Sequence, residues 1–139
     1  MTNCDARKKI NELVIAALVA AGLKDGVTLS AGELQNTSAV TFWRTGAIGA
    51  GMNKPTYAAY SIVGTNASIR GDNRTLLREN AIALDIFSKN TFETRQNARL
   101  LESIESALVV AGFEIVFEAE EYESATALYH LPITAFKLI

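Results

Sequence analysis

The chain has 139 residues, 49% of them hydrophobic and 20% charged, with a formal net charge of −2. A chain of this size favours one domain, able to hide about 68% of its unfolded surface. The charge balance supplies no global basic field for nucleic acid, and the single cysteine, Cys4, excludes an internal disulfide and a cysteine metal cluster.

Residues 5–21 read as the first helix, with Asp5 as cap, Gly22 as stop and Leu23 folding back. Arg7, Lys8 and Lys9 ahead of an apolar run superficially resemble a secretion signal. The spacing of Ile10, Leu13, Val14, Ala17, Leu18 and Ala21 instead marks an amphipathic core helix, and the run is too short to span a bilayer. The lone cysteine fits a reducing compartment. Lys24-Asp25-Gly26 is a turn, and residues 27–38 read mostly as loop, with a short extended piece at 27–29.

Residues 39–44, β-branched and aromatic, form the first strand. Gly46, Gly49, Gly51 and Pro55 make the following connection a loop. Its glycine spacing matches no phosphate-binding motif, and a strand follows it where a phosphate site needs a helix N-terminus. Residues 57–63 are the second strand. Residues 64–79 read as another long connection, carrying Arg70, Arg74 and Arg78. Loops of this length in a small domain are more often functional than idle.

In residues 81–87, Ile82, Leu84 and Ile86 alternate with Ala81, Ala83, Asp85 and Phe87, the pattern of a strand packed on one side. Residues 91–111 form the long central helix. Phe92, Ala98, Leu101, Ile104, Leu108 and Ala111 share its inner face, Asn90 and Glu93 act as a capping box, and Gly112 ends it. At 1.5 Å per residue it runs about 30 Å. Two further strands follow at 113–118 and 133–138, separated by an acidic turn with Glu118, Glu120, Glu121, Tyr122 and Glu123.

The resulting expectation is one α+β domain over 1–139. Two helices pack on one mixed or antiparallel sheet, in the order helix, strand, strand, strand, helix, strand, strand. No residue group points to catalysis, a cofactor or a metal. His130 has no recognisable nucleophile or orienting carboxylate beside it in the sequence, and the acidic turn lacks the glycine and alternating ligands of a calcium loop.

Several pieces of the second half together resemble the tail terminator proteins of long-tailed bacteriophages, also called tail-completion or minor tail proteins. They are residues 85–89 (Asp-Ile-Phe-Ser-Lys), 104–108 (Ile-Glu-Ser-Ala-Leu), 111–113 (Ala-Gly-Phe), 121–123 (Glu-Tyr-Glu) and 128–130 (Leu-Tyr-His). The resemblance covers roughly residues 80–138. The chain departs from it at Ala125 and Ala127, where the family is expected to carry an acidic residue and a glycine around the threonine.

The resemblance implies a structural protein of the virion, not an enzyme, assembled in the host cytoplasm at the head-proximal end of the tail. Its copies would join into a six-fold ring that caps the tail tube, stops its polymerisation and meets the head–tail connector. The partners so implied are the chain itself, the tail tube protein and the connector, with phage DNA passing through the ring without sequence-specific binding and no membrane involved. A ring needs a heterologous contact whose rotation closes. Trp43, Tyr122 and Tyr129, with Tyr57 and Tyr60, are the aromatic candidates for such contacts, and Arg44, Arg70, Arg74 and Arg78 the polar ones. The acidic turn is a candidate lining for a lumen that lets DNA slide. The rival readings are a head–tail connector or head-completion protein and a small ligand-binding domain with an apolar pocket.

Overall fold

The computed structural model describes residues 2–44, 55–71 and 74–139, with the backbone alone at 3, 66–70 and 74–76. Helix α1 (Asn3–Ala20) starts on a capping box: the Asp5 amide donates to the Thr2 hydroxyl at 3.1 Å, and the Thr2 amide and hydroxyl return bonds to the Asp5 carboxylate. The Thr2 hydroxyl holds that carboxyl below its ordinary pKa. Asp5 therefore stands three residues inside the cap, and the expected cap position shifts to Thr2. The helix ends as its sequence requires. Gly22 takes φ +98°, its amide donates to the Val19 carbonyl, and the Leu23 amide donates to the Leu18 carbonyl.

The segment expected to be turn and loop is structured. Strand β1 (Lys24–Asp25) pairs in parallel with strand β2 (Thr41–Arg44). Between them lie a short 3-10 turn (Gly26–Thr28) and helix α2 (Ala31–Asn36), whose start is a Ser30–Glu33 capping box. Six residues are too few to display helical periodicity, so the box was the sole local signal.

Strands β3 (Thr56–Gly71) and β4 (Arg74–Ser88) form a long antiparallel hairpin. The expected connection at 64–79 is thus the outer half of two strands, with register shifts beyond Ile62 marking bulges. Gly64, Gly71 and the shifted register interrupt the strand pattern, so the stretch reads as a connection. The glycine-bearing stretch 46–51 lies outside the described residues.

Helix α3 (Arg95–Val110) is capped by Thr94, whose hydroxyl accepts from the Asn97 amide at 3.4 Å, and not by Asn90 and Glu93. Residues 91–94 form the turn that enters it. Gly112, at φ +93°, closes its far end, and the Phe113 amide donates to the Leu108 carbonyl. Strands β5 (Glu114–Phe117) and β6 (Glu121–Glu123) both pair with β7 (Leu128–Leu138). The seven-stranded sheet runs β1-β2-β3-β4-β7-β5, with β6 continuing the outer edge beside β7. The strands flanking α3 are parallel to each other, with β7 inserted antiparallel between them. The α+β class stands, with a third, short helix and two more strands than the sequence pattern showed.

One face of the sheet carries the core. In register across it lie Ala58, Ile86 and Leu131, then Tyr60, Leu84 and Ile133. Ile10, Val14 and Leu18 of α1 and Ile104 and Leu108 of α3 close over these rows. Each such side chain contributes about 1.5–3 kcal/mol by leaving water. Between β4 and α3, Asn97 is the polar pin: its Nδ2 lies 3.0 Å from the Ser88 hydroxyl, 3.2 Å from the Asn90 carbonyl and 3.0 Å from the Thr91 carbonyl.

Candidate functional site

Among the described residues, the second face of the sheet is covered at one end only. There Leu34 of α2 packs on Trp43 and Tyr57, with Leu29, Phe87 and Leu128 beside them. Trp43 is 4% exposed, so its ring is spent inside the chain and offers nothing to a partner. Tyr57 and Tyr60 are buried likewise. Burial pushes the pKa of both phenols up, reinforced at Tyr57 by the Glu123 carboxylate. The Tyr60 hydroxyl donates to Asn11 Oδ1 at 2.5 Å. From Asn80 to Ser88 of β4 and from His130 to Phe136 of β7, half-buried residues on this face alternate with buried neighbours on the helix side.

Next to the small cluster lies an arrangement that the sequence order hides. His130 stacks on Phe87 (4.5 Å between centroids, 12° between planes), and Phe87 stacks on Tyr57 at 5.0 Å. The His130 ring has a carboxylate at each nitrogen: Asp85 Oδ1 lies 2.7 Å from Nε2 and Glu123 Oε1 3.2 Å from Nδ1. Both nitrogens donate together only in the imidazolium form. The ring thus faces a carboxylate at both of its nitrogens. It works as a clasp, tying β6 to β4 through β7. Asp85 and His130 are diagonal neighbours across the β4–β7 ladder, where Phe87 is the residue opposite His130, and lie 45 residues apart. No spacing rule connects them, and the parity of Asp85 with Phe87 on one strand face was the one clue available.

The other expected contact residues divide into two places. Tyr122 and Tyr129 are a cross-strand pair on β6 and β7, with centroids 4.9 Å apart, and Tyr122 is 57% exposed. They sit on the open edge of the sheet, with Val116 at 51% exposure and Phe117 at 38%. The five glutamates 114, 118, 120, 121 and 123 lie along the same edge. Glu120 also accepts a bond from the Phe92 amide at 2.5 Å, which anchors the turn into α3.

Arg70 and Arg74 belong to the outer half of the β3–β4 hairpin, where Arg70 pairs with Thr75 and Gly71 with Arg74. Arg78 stands at its root, exchanging backbone bonds with Ile139. Arg44 is exposed at the end of β2, beside Tyr60. The arginines of the hairpin and the tyrosines of the edge are thus on separate parts of the molecule.

Among the described residues, no group of three or more His, Cys, Asp or Glu is placed to hold a metal ion, and no helix is long and apolar enough to cross a membrane. A cleft lined by Thr37, Val40, Pro55, Asn90 and Leu100 has a volume of about 210 Å³, and two surface clefts, one beside Ala21 and Val110 and one beside Gly112 and Lys137, have about 540 and 340 Å³. No protein-family model matches the chain, and no curated protein matches it.

Proposed function

We propose that this chain is a structural protein of a long-tailed bacteriophage. Its copies close into a six-fold ring on the head-proximal end of the tail tube, end the tube's growth and present the ring's other side to the head–tail connector. Phage DNA passes through the ring without sequence-specific contacts.

The observation that carries this reading is the lopsided sheet. It has helices α1 and α3 on one face, a second face left mostly half-buried, and an open edge that exposes Val116, Phe117 and Tyr122. Large apolar side chains along an unpaired edge are a liability in a lone protein and a resource in an assembly. The residues that resemble the terminators fall in one contiguous block, β4–α3–β5–β6–β7, which shares the core with α1, β2 and β3. The left-handed backbone at Ala127 (φ +56°) also stands where those proteins are expected to carry glycine.

The test is tail length. Particles made without this gene product are expected to have overlong tails. Normal tails on heads that leak DNA would instead assign the chain to head completion, and particles unchanged in both respects would end the structural reading.

A further inference from the structure

Among the described residues, the outer part of the β3–β4 hairpin has no third strand. Strand β7 pairs with β4 only from Glu79 to Ser88, and Ile139 adds one rung at Arg78. Beyond that rung the hairpin continues through Ile69↔Leu77, Arg70↔Thr75 and Gly71↔Arg74. At about 3.3 Å per residue it projects roughly 15 Å past the sheet. A two-stranded ribbon standing alone is marginal in water, so this arm gains most by lying against something.

The sequence gives the arm a distinct chemistry. Residues 66–78 hold Arg70, Arg74 and Arg78 against Asp72, a net charge of +2, with Ile69, Leu76 and Leu77 among them. The β5–β6 edge is its counterpart. Residues 114–123 hold five glutamates and no basic residue, a net charge of −5, and expose Val116, Phe117 and Tyr122. The edge strand β5 pairs on one side only. Alternation along an antiparallel strand turns every second residue's backbone N–H and C=O outward.

We infer that the arm of one copy docks on the β5–β6 edge of the next, its arginines against the glutamates and its apolar residues against Val116 and Phe117. The inference rests on the ring reading and names that ring's contact. Arm and edge are different surfaces, so the contact is heterologous and propagates from copy to copy until it closes. A nucleic acid would meet the arginines but leave the apolar residues of arm and edge without a role, whereas a second copy engages both.

Cross-linking tests it in the full chain carrying Cys4→Ser. Thr75→Cys or Leu76→Cys is placed on the arm and Val116→Cys on the edge. Mixed arm and edge variants, oxidised with and without purified tail tubes, are expected to give a disulfide dimer. A chain carrying both cysteines should give a ladder ending at the closed ring. Arg70→Glu with Arg74→Glu, or Glu118→Lys with Glu121→Lys, should each weaken association about tenfold or more, and the combined four-fold variant should recover part of it.

Rings without the cross-link would overturn the arm-on-edge contact and leave the ring reading standing. Cross-linked chains that never close would keep the contact and overturn the ring. Absence of both cross-link and ring would overturn both. Association unchanged by either charge reversal would overturn the contact and return the glutamates to the lining of a lumen. Salt-sensitive duplex binding lost in the arginine variant, with no cross-link, would assign the arm to DNA.

Discussion

Asn97→Ala isolates the joint between β4 and α3. Asn97 is 5% exposed, and its Nδ2 faces the Ser88 hydroxyl, the Asn90 carbonyl and the Thr91 carbonyl at 3.0–3.2 Å. Two N–H bonds serve three acceptors, so about two net hydrogen bonds are at stake, each worth about 1 kcal/mol. Ser88 is fully buried and retains a second partner, the Thr56 hydroxyl at 2.9 Å. Only the carbonyls therefore lose their donor, and the expected cost is about 2 kcal/mol. For a domain of this length that corresponds to a fall in Tm of roughly 6–10 °C. Asn97→Asp keeps the shape but presents an acceptor-only carboxylate to two carbonyls, so it should cost at least as much as alanine. Urea titrations with unchanged m-values would measure both. An alanine variant within about 0.5 kcal/mol of the parent, or an aspartate variant milder than alanine, would refute the pin.

A Cβ at Gly26 would come within 2.5 Å of Trp43 ring carbons, so Gly26→Ala should destabilise by about 1–3 kcal/mol and shift the emission of this lone tryptophan; an unchanged spectrum and stability would contradict the packing. Ala127→Gly relieves a left-handed alanine at φ +56°, a gain of about 1–2 kcal/mol partly offset by about 0.5–1 kcal/mol of unfolded-chain entropy; thermal melts should show a small rise in stability, and a fall would count against it. Tyr57 and Tyr60 have raised pKa values. Their neutral forms contribute stability that is whole below pH of about 10 and is lost as pH rises through the folded-state values. Phenolate absorbance should therefore lag solvent-exposed tyrosine, and Tyr57→Phe should flatten the alkaline loss of stability. His130→Phe keeps an aromatic ring for Phe87 but leaves Asp85 and Glu123 without the group between them. It should cost about 1–2 kcal/mol, discounted for partial exposure, and speed hydrogen exchange in β6; unaltered exchange there would dismiss the clasp.

What the sequence made legible was local. Gly22 with Leu23 and Gly112 with Phe113 announce two helix ends because that motif is written within six residues. The alternation in 81–87 announces β4 because one of its faces is buried. What it hid depends on partners far along the chain. Lys24 and Asp25 are a strand only because Thr41 and Phe42 lie beside them. The arm is polar, carries Gly64 and Gly71 and shifts register, so its composition imitates a loop. Trp43 has the composition of an interface anchor, yet α2, invisible to periodicity, folds over it. His130 had no visible carboxylate in sequence, while the β4–β7 and β6–β7 ladders bring it two.

The central claim is that this chain acts by closing on itself at the end of a tube. Native mass measurement of the protein bound to purified tail tubes tests it most directly. The account predicts one discrete assembly per tube, six times the mass of the 15.0 kDa chain, at one end only. Binding along the tube's length, binding as a monomer, or no binding at all would contradict it.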